Sequence, residues 1–289
     1  MQFGRALKRF EPLAQKITGK LLLCPWPAVL TRLDPRTLSA YTPPKKISIV
    51  AEDSDCKKLR FNDMHDAWFP KETPLSAELW SEYLCVFWPH PANGHYYLNH
   101  GTVVNPGDIC LDCGACEGFF AMQALAAGAA KVICIEPSKE MAECLNRTFA
   151  DEIRNGRVVV RNIAVGAMDG TASFSFDSFQ PFGGKLDSAT TSIAIPVTTI
   201  ARLFQDLNLP CLNFIKMDIE GAEIQALEGA MPLLAKFHPQ LAITTYHRPF
   251  DYVVLRALAI SAGYRQIKSA GLVERGDKIY RPVMLHASK

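Results

Sequence analysis

After Pro106-Gly107-Asp108 the chain settles into an alternation of short apolar runs and longer helical ones, and this limits its fold more than any other feature. ICLDC, KVICIE and RVVVRNIAV predict strands, while EGFFAMQALAAG and SKEMAECLNRTFADEI predict helices. LNFIKMD, EGAEIQALEGAMPLLAKF, QLAITTYH and DYVVLRALAISAG repeat the order, and YRQIKS and YRPVMLHA predict two closing strands. Strands separated by helical runs of this length imply βαβ units and a parallel sheet, hence a doubly wound α/β layer.

Two regions depart from the rhythm. Between 166 and 197 it loosens into GTASFSF, FGGKLDSAT and IAIPVTTI, which predict an inserted β-hairpin with a mobile loop near Gly183-Gly184. Upstream, Leu7, Phe10, Leu13, Ala14, Ile17 and Leu21 recur at helical intervals over residues 5–23, opposite a basic face. That helix packs on the core or, in a second reading, makes peripheral membrane contact. KISIVA predicts a strand, SAELWSEYLCVFW a helix, and HPANGHYYLNHG a polar aromatic loop. The expected partition is residues 1–100 as an N-terminal cap or substrate region and 101–289 as the main domain.

The balance of charge narrows the function classes. Hydrophobic residues at 48% and charged residues at 21% suit a soluble enzyme, and a net charge of +2 gives no basic footprint for nucleic acid. Nine cysteines, mostly inside apolar runs, predict a reducing, cytoplasmic setting instead of a disulfide framework. LLLCPWPAVL, interrupted by Pro25 and Pro27, is too short to span a bilayer, and no other segment is a transmembrane candidate.

CLDCGACEG, residues 110–118, admits two readings. An iron–sulfur site needs four thiolates, yet no cysteine follows Cys116 until Cys134, and strand alternation sends Cys110 and Cys113 to opposite faces. A dinucleotide loop needs G-x-G-x-x-G, and this one is a glycine short. Gly114 and Gly118 let the turn pass close to a ligand. Glu136, ending KVICIEP, stands where a carboxylate accepts hydrogen bonds from ribose hydroxyls. Asp112 would repel a pyrophosphate and suit a ligand with a cation nearby. S-adenosylmethionine, an adenosine bearing a sulfonium and an ammonium, meets these terms.

PGDICLDCGACEGFFAMQALAAGA, ICIEPSKEMAECLNRT, VVVRNIAVGAMDGTASF and FIKMDIEGAEIQALEGA followed by HPQLAIT, taken in this order, resemble class I S-adenosylmethionine-dependent methyltransferases of the FkbM family. The resemblance runs from about Gly101 to about Ser269. It implies a Rossmann-like, seven-stranded, mostly parallel sheet and methyl transfer to a hydroxyl of a sugar, glycan, polyketide or similar small molecule. It implies a cofactor loop of Asp112, Gly114, Ala115, Cys116, Glu117 and Gly118. Glu136 with Pro137 would then hold the ribose, and Asn162 with Ala164 would edge the adenine.

A hydroxyl acceptor must also lose a proton, which calls for a positioned base or a metal. Alternation along KMDIEG sets Lys216, Asp218 and Glu220 on one side of the ending strand. Asp218 would touch the acceptor or the methionine end of the cofactor. Glu220 is a catalytic carboxylate or one favoured by a helix N-terminus. His247, ending QLAITTYH, is the candidate histidine base, the alternative being a surface histidine before Arg248-Pro249. His95, Tyr96, Tyr97 and His100 sit in a loop able to fold over the cofactor. No residue is assigned to a metal, and acceptor choice is expected to lie in the N-terminal region and residues 178–190. The other function class that fits is a non-catalytic adenosine-ligand-binding or scaffold protein on the same fold.

Overall fold

The computed structural model describes residues 11–17, 24–31, 43–177, 180–186, 192–277 and 279–289. An antiparallel sheet comes first, formed by β1 (Ile47–Glu52), β2 (Cys56–Phe61) and β3 (His65–Pro70). The main sheet begins with β4 (Ile109–Cys113), β5 (Lys131–Ile135) and β6 (Val158–Arg161). A four-stranded sheet of β7 (Ala164–Val165), β8 (Gly170–Asp177), β9 (Gln180–Leu186) and β10 (Ser192–Thr198) is inserted next. Finally, β11 (Phe214–Met217), β12 (Gln240–Thr244), β13 (Gln266–Glu274) and β14 (Tyr280–Ser288) complete the main sheet in the order β13-β14-β12-β11-β4-β5-β6. Only β14 runs against the others. This is the α/β, Rossmann-like, mostly parallel seven-stranded sheet that the alternation and the resemblance imply.

The main sheet buries both faces. Cys110, Val132, Cys134, Phe214 and Ala242 project into one core, and Leu111, Cys113, Ile133, Ile215, Leu241 and Ile243 into the other. Near-continuous apolar runs are what a doubly covered parallel sheet requires.

Several elements differ from expectation. RVVVRNIAV breaks after Arg161, so β6 stays in the main sheet while β7 pairs with β10. The inserted hairpin is a four-stranded sheet, and Gly183-Gly184 lies within β9 instead of in a loop. Of the 178–190 specificity segment, residues 178–179 and 187–190 lie outside the described residues, as do 5–10 and 18–23 of the N-terminal helix; residues 11–17 are helical. LLLCPWPAVL contributes a helix, Trp26–Thr31, because Pro27 falls in its first turn, where a missing N–H costs nothing. The long run after Gly221 divides into Glu223–Glu228 and Met231–Phe237, with Pro232 opening the second piece. The SKEMAECLNRTFADEI run likewise divides into Lys139–Thr148 and Ala150–Arg154. Helix Ile200–Asp206, capped by Thr199, had no periodic signal long enough to reveal it.

The N-terminal sheet shares its core with the main domain. Asn62 and Asp63, both at positive φ, turn β2 into β3, as Asn and Asp do in tight hairpins. Phe61 is fully buried, with its ring centroid 5.2 Å from Tyr83 of helix Ala77–Phe87 and 5.0 Å from Phe119 of helix Phe119–Ala126. Gln123 Nε2 donates to the Val86 carbonyl at 2.7 Å, and the Thr148 hydroxyl accepts from Trp68 N at 2.9 Å. No described helix is long and apolar enough to cross a membrane. Truncating Phe61 to alanine should cost about 3–5 kcal/mol in urea unfolding while keeping one transition. An early separate transition of residues 47–88 would contradict the shared core.

Candidate active site

The site begins where β4 and β11 end side by side. Their register sets Lys216 beside Asp112 and Met217 beside Cys113, and alternation turns Asp112 and Lys216 to the same face. Lys216 Nζ lies 3.0 Å from Asp112 Oδ1 and donates to the Gly114 carbonyl at 2.5 Å, with both side chains almost wholly buried. Burial alone would push the Asp112 carboxyl up toward its neutral form and would strip the charge from Lys216. The adjacent carboxylates of Asp112 and Asp218 outweigh that burial and raise the Lys216 pKa, whereas for Asp112 burial prevails over Lys216 and its pKa is raised.

The two loops then meet backbone to backbone. Gly114, at φ 75°, lies so near the following strand's end that a Cβ would sit 1.9 Å from the Asp218 carbonyl oxygen. A Cβ on Gly118 would fall 2.6 Å from the Phe149 ring. Both glycines therefore answer to close approach of the protein's own atoms. Gly114 N and Ala115 N both donate to the Ile135 carbonyl at 3.0 Å, tying the loop to β5.

Beyond the loop opens a cleft of about 1100 Å³, continuous with solvent. Gly114, Ala115, Cys116, Glu117, Glu136, Pro137, Ala164, Asp218 and Glu220 line it. Asp112 and Gly118 lie behind the lining. Asn162 also stays outside: its Nδ2 donates to the Glu136 and Pro137 carbonyls, both at 2.9 Å, so it braces the end of β5. Glu136 accepts from Cys116 N at 2.9 Å and Ser138 N at 2.8 Å. Burial raises its carboxyl to about 7 despite these bonds, and burial likewise raises Glu117 to about 7. Cys116 and Glu220 hold left-handed backbone at φ 44° and 57°, a conformation uncommon outside glycine and concentrated at functional loops.

Asp218 centres a hydrogen-bonded cluster. Its Oδ2 accepts from the Tyr97 hydroxyl at 3.0 Å, and its Oδ1 accepts from Thr244 Oγ1 at 3.1 Å. His247 Nδ1 lies 3.0 Å from Glu223 Oε1, while its Nε2 lies 3.6 Å from Asp218 Oδ1 and 3.5 Å from Glu220 Oε2. Burial works against a charged imidazole, but the Glu223 bond and the nearby Asp218 and Glu220 carboxylates prevail and raise His247 to about 9. Asp218 is held low, since His247, Lys216 and His95 more than offset its burial. His247 is thus set behind the cleft wall, away from the surface.

The N-terminal region supplies the facing wall through Glu82, Val86 and Tyr97. Asn93 holds this region in place, donating from Nδ2 to the carbonyls of Leu84, Cys85 and Trp88 at the end of helix Ala77–Phe87. Glu82 is open to the cleft but walled by protein. Desolvation, with Glu117 and Asp218 nearby, pushes it up to about 8. Of the loop aromatics, Tyr97 reaches the cleft, while His100 instead faces His286 with ring centroids 5.5 Å apart. No motif marks Glu82, Tyr97 or Tyr246, and Glu223 lies within FIKMDIEGAEIQALEGA with no role read for it. Tyr97 carried a further signal, its place in the aromatic loop. The three cysteines of CLDCGACEG diverge, and the one metal-capable cluster among the described residues is Asp218, Glu223 and His247.

A cleft at the carboxyl ends of a mostly parallel sheet, with an acidic residue closing the second strand, is a Rossmann-like arrangement. Residues 112–265, just over half the chain, match the methyltransferase FkbM domain. The chain belongs to this family. Among solved structures it is similar to methyltransferase FkbM from Methylobacillus flagellatus KT, at 25% identity and a TM-score of 0.48, over 67% of this chain and 47% of that one. The chain thus spans less than half the length of that protein. It is also similar to precorrin-6y C5,15-methyltransferase from Geobacter metallireducens GS-15 (10% identity, 79% of this chain and 95% of that one, TM-score 0.43). Trm5b from Pyrococcus abyssi is a further likeness (13%, 84% and 62%, TM-score 0.44). No curated protein matches the sequence.

The raised Glu136 carboxyl gives a signed pH test. Stability from its protonated form is complete below its ordinary 4.5 and is lost as pH rises through about 7. From pH 4.5 to 8 the stability difference should therefore move in favour of Glu136→Gln by up to roughly 3 kcal/mol in chemical unfolding. Movement the other way would show that Glu136 is stabilised as a carboxylate.

Proposed function

We propose that the cleft binds S-adenosylmethionine and that the protein methylates a hydroxyl of a small molecule or glycan. The residues present fit the cofactor. Glu82, Glu117, Asp218 and Glu220 surround the space with carboxylates, while the one lining ammonium, Lys216, is matched by Asp112. Such a lining favours a cationic ligand and disfavours nucleic acid as acceptor. Glu136 would hold the ribose, since each of its oxygens keeps a lone pair beyond the backbone bond it accepts. Ile135, Pro137, Ala164 and Val165 offer an apolar surface for the adenine.

When bound, S-adenosylmethionine supplies a methyl group already activated by its sulfonium. The chain's own task is to align the acceptor, exclude water and take up a proton. The ionised, cleft-lining Asp218 carries this reading. Tyr97 and Thr244 fix its two oxygens and His247 sustains its charge, which suits it to accept the hydroxyl proton. Glu220 and His247 complete the catalytic cluster. The N-terminal residues through 100 act as the acceptor wall, with Glu82 and Val86 facing the cofactor loop.

Titration calorimetry with S-adenosylmethionine and S-adenosylhomocysteine should show binding of both. Absence of heat from folded, ligand-free protein would overturn the reading. With an alcohol acceptor in hand, Asp218→Asn should lower kcat by about 10²- to 10⁴-fold with S-adenosylhomocysteine affinity little changed. Retained kcat with weakened affinity would assign Asp218 to the cofactor instead.

A further inference from the structure

We infer that Asp218, Glu220 and His247 form a site for one divalent cation of the Mn²⁺ to Zn²⁺ type, opening into the cleft and backed by Glu223. The first observation is an orphaned donor atom. The His247 side chain is 4% exposed, and its buried Nε2 has no hydrogen-bond partner. It is aimed between two carboxylate oxygens, Asp218 Oδ1 at 3.6 Å and Glu220 Oε2 at 3.5 Å. Those separations are long for hydrogen bonds. Each of the two separations from Nε2 suits a pair of ligands on one ion, because bonds of about 2.1 Å place tetrahedral neighbours roughly 3.4 Å apart; the two carboxylates must draw together when the ion binds.

The second observation is the arrangement behind the ring. Nδ1 meets Glu223 Oε1 at 3.0 Å, and Glu223 is fully buried. The same oxygen accepts from Ile219 N at 2.9 Å and lies 3.4 Å from Thr244 Oγ1. A carboxylate that fixes one imidazole nitrogen, leaving the other for an ion, is the usual outer partner of a metal-bound histidine. Ligand atoms of Asp218, Glu223 and His247 also lie within 4.8 Å of one another.

Charge points the same way. Three carboxylates surround one imidazole, and the nearest ammonium, Lys216, is held by Asp112. One nitrogen and two carboxylate ligands favour borderline divalent ions over Mg²⁺ or Ca²⁺, which prefer oxygen alone. The buried side of the cluster is closed by Glu223 and His247. Its cleft side, lined by Asp218 and Glu220, leaves coordination positions for water or an acceptor oxygen. The cation's role, lowering the pKa of a bound acceptor oxygen, rests on the methyl-transfer reading, whereas its binding does not.

The test is titration of the chelator-stripped full chain with MnCl₂, followed by the loss of the free-ion electron paramagnetic resonance signal. Native protein should bind one equivalent. His247→Ala should abolish that equivalent, and Glu223→Gln should weaken it by about 10- to 100-fold. Should His247→Ala fail to fold, the more exposed Glu220→Gln serves, with weakened binding expected. Glu82→Gln should leave the equivalent in place, which separates this site from general attraction to an acidic cleft. Absence of binding by native protein, or equal binding by the His247 and Glu220 variants, overturns the proposal. Calorimetry with S-adenosylhomocysteine on the same samples separates the two readings: Mn²⁺ bound without it removes the cofactor assignment alone, and the converse removes only the cation site.

Discussion

The buried pair of Lys216 and Asp112 holds the cleft together. A single ammonium joins the carboxylate of β4 to the carbonyl of the loop that follows, so two strand ends and one turn are fixed by one side chain. Removing either charge would leave the other buried without compensation, a change that costs several kcal/mol in proteins generally. Because Lys216 also lies near Asp218, the same ammonium helps keep the cleft-facing carboxylate ionised. Support of the loop and the electrostatics of the site therefore depend on the same contact. The backbone approach at Gly114 follows from it, since only a residue without a Cβ lets the two loops close over that pair.

The N-terminal residues contribute through packing more than through bonds to the cleft. Phe61, Tyr83 and Phe119 bring the antiparallel sheet and helix Ala77–Phe87 against the helix that follows the cofactor loop. Asn93 then donates to three carbonyls at the end of helix Ala77–Phe87, and the single Thr102 hydroxyl lies within hydrogen-bond distance of the Tyr97 and Asn99 carbonyls on the next turn. Between these two anchors Tyr97 is carried to Asp218. A side chain from the cap thereby shapes the cluster that strand β11 begins.

Sequence reveals those parts of this architecture that depend on period. Apolar runs with helices between them fix the order of strands, and the acidic end of KVICIE marks where an adenosine ligand would lie. Contacts that depend on three-dimensional closure leave little trace. Glu82 reads as one more polar residue on a helix surface, and nothing in ITTYH says that His247 will turn inward to meet Glu223. The β2–β3 hairpin escaped notice because Asn62-Asp63 lacks the glycine that usually announces such a turn. Asn162 illustrates a subtler failure: it falls beside the cleft in sequence order, but its amide is consumed by the Glu136 and Pro137 carbonyls.

The acidity of the cleft has to be reconciled with the stability of the fold. Glu82, Glu117 and Glu136 all have raised pKa values because burial and mutual repulsion disfavour their ionised forms. A protein selected for stability alone would gain by replacing them with apolar residues of similar size. Their presence in one cavity makes sense if a cation relieves the repulsion during function. The sulfonium and ammonium of the proposed cofactor would meet that need at the loop, and the divalent ion proposed for Asp218, Glu220 and His247 would meet it at the far side of the cleft. In this arrangement the crowding of carboxylates would itself favour cationic ligands, because their binding would relieve an electrostatic cost already present in the folded chain.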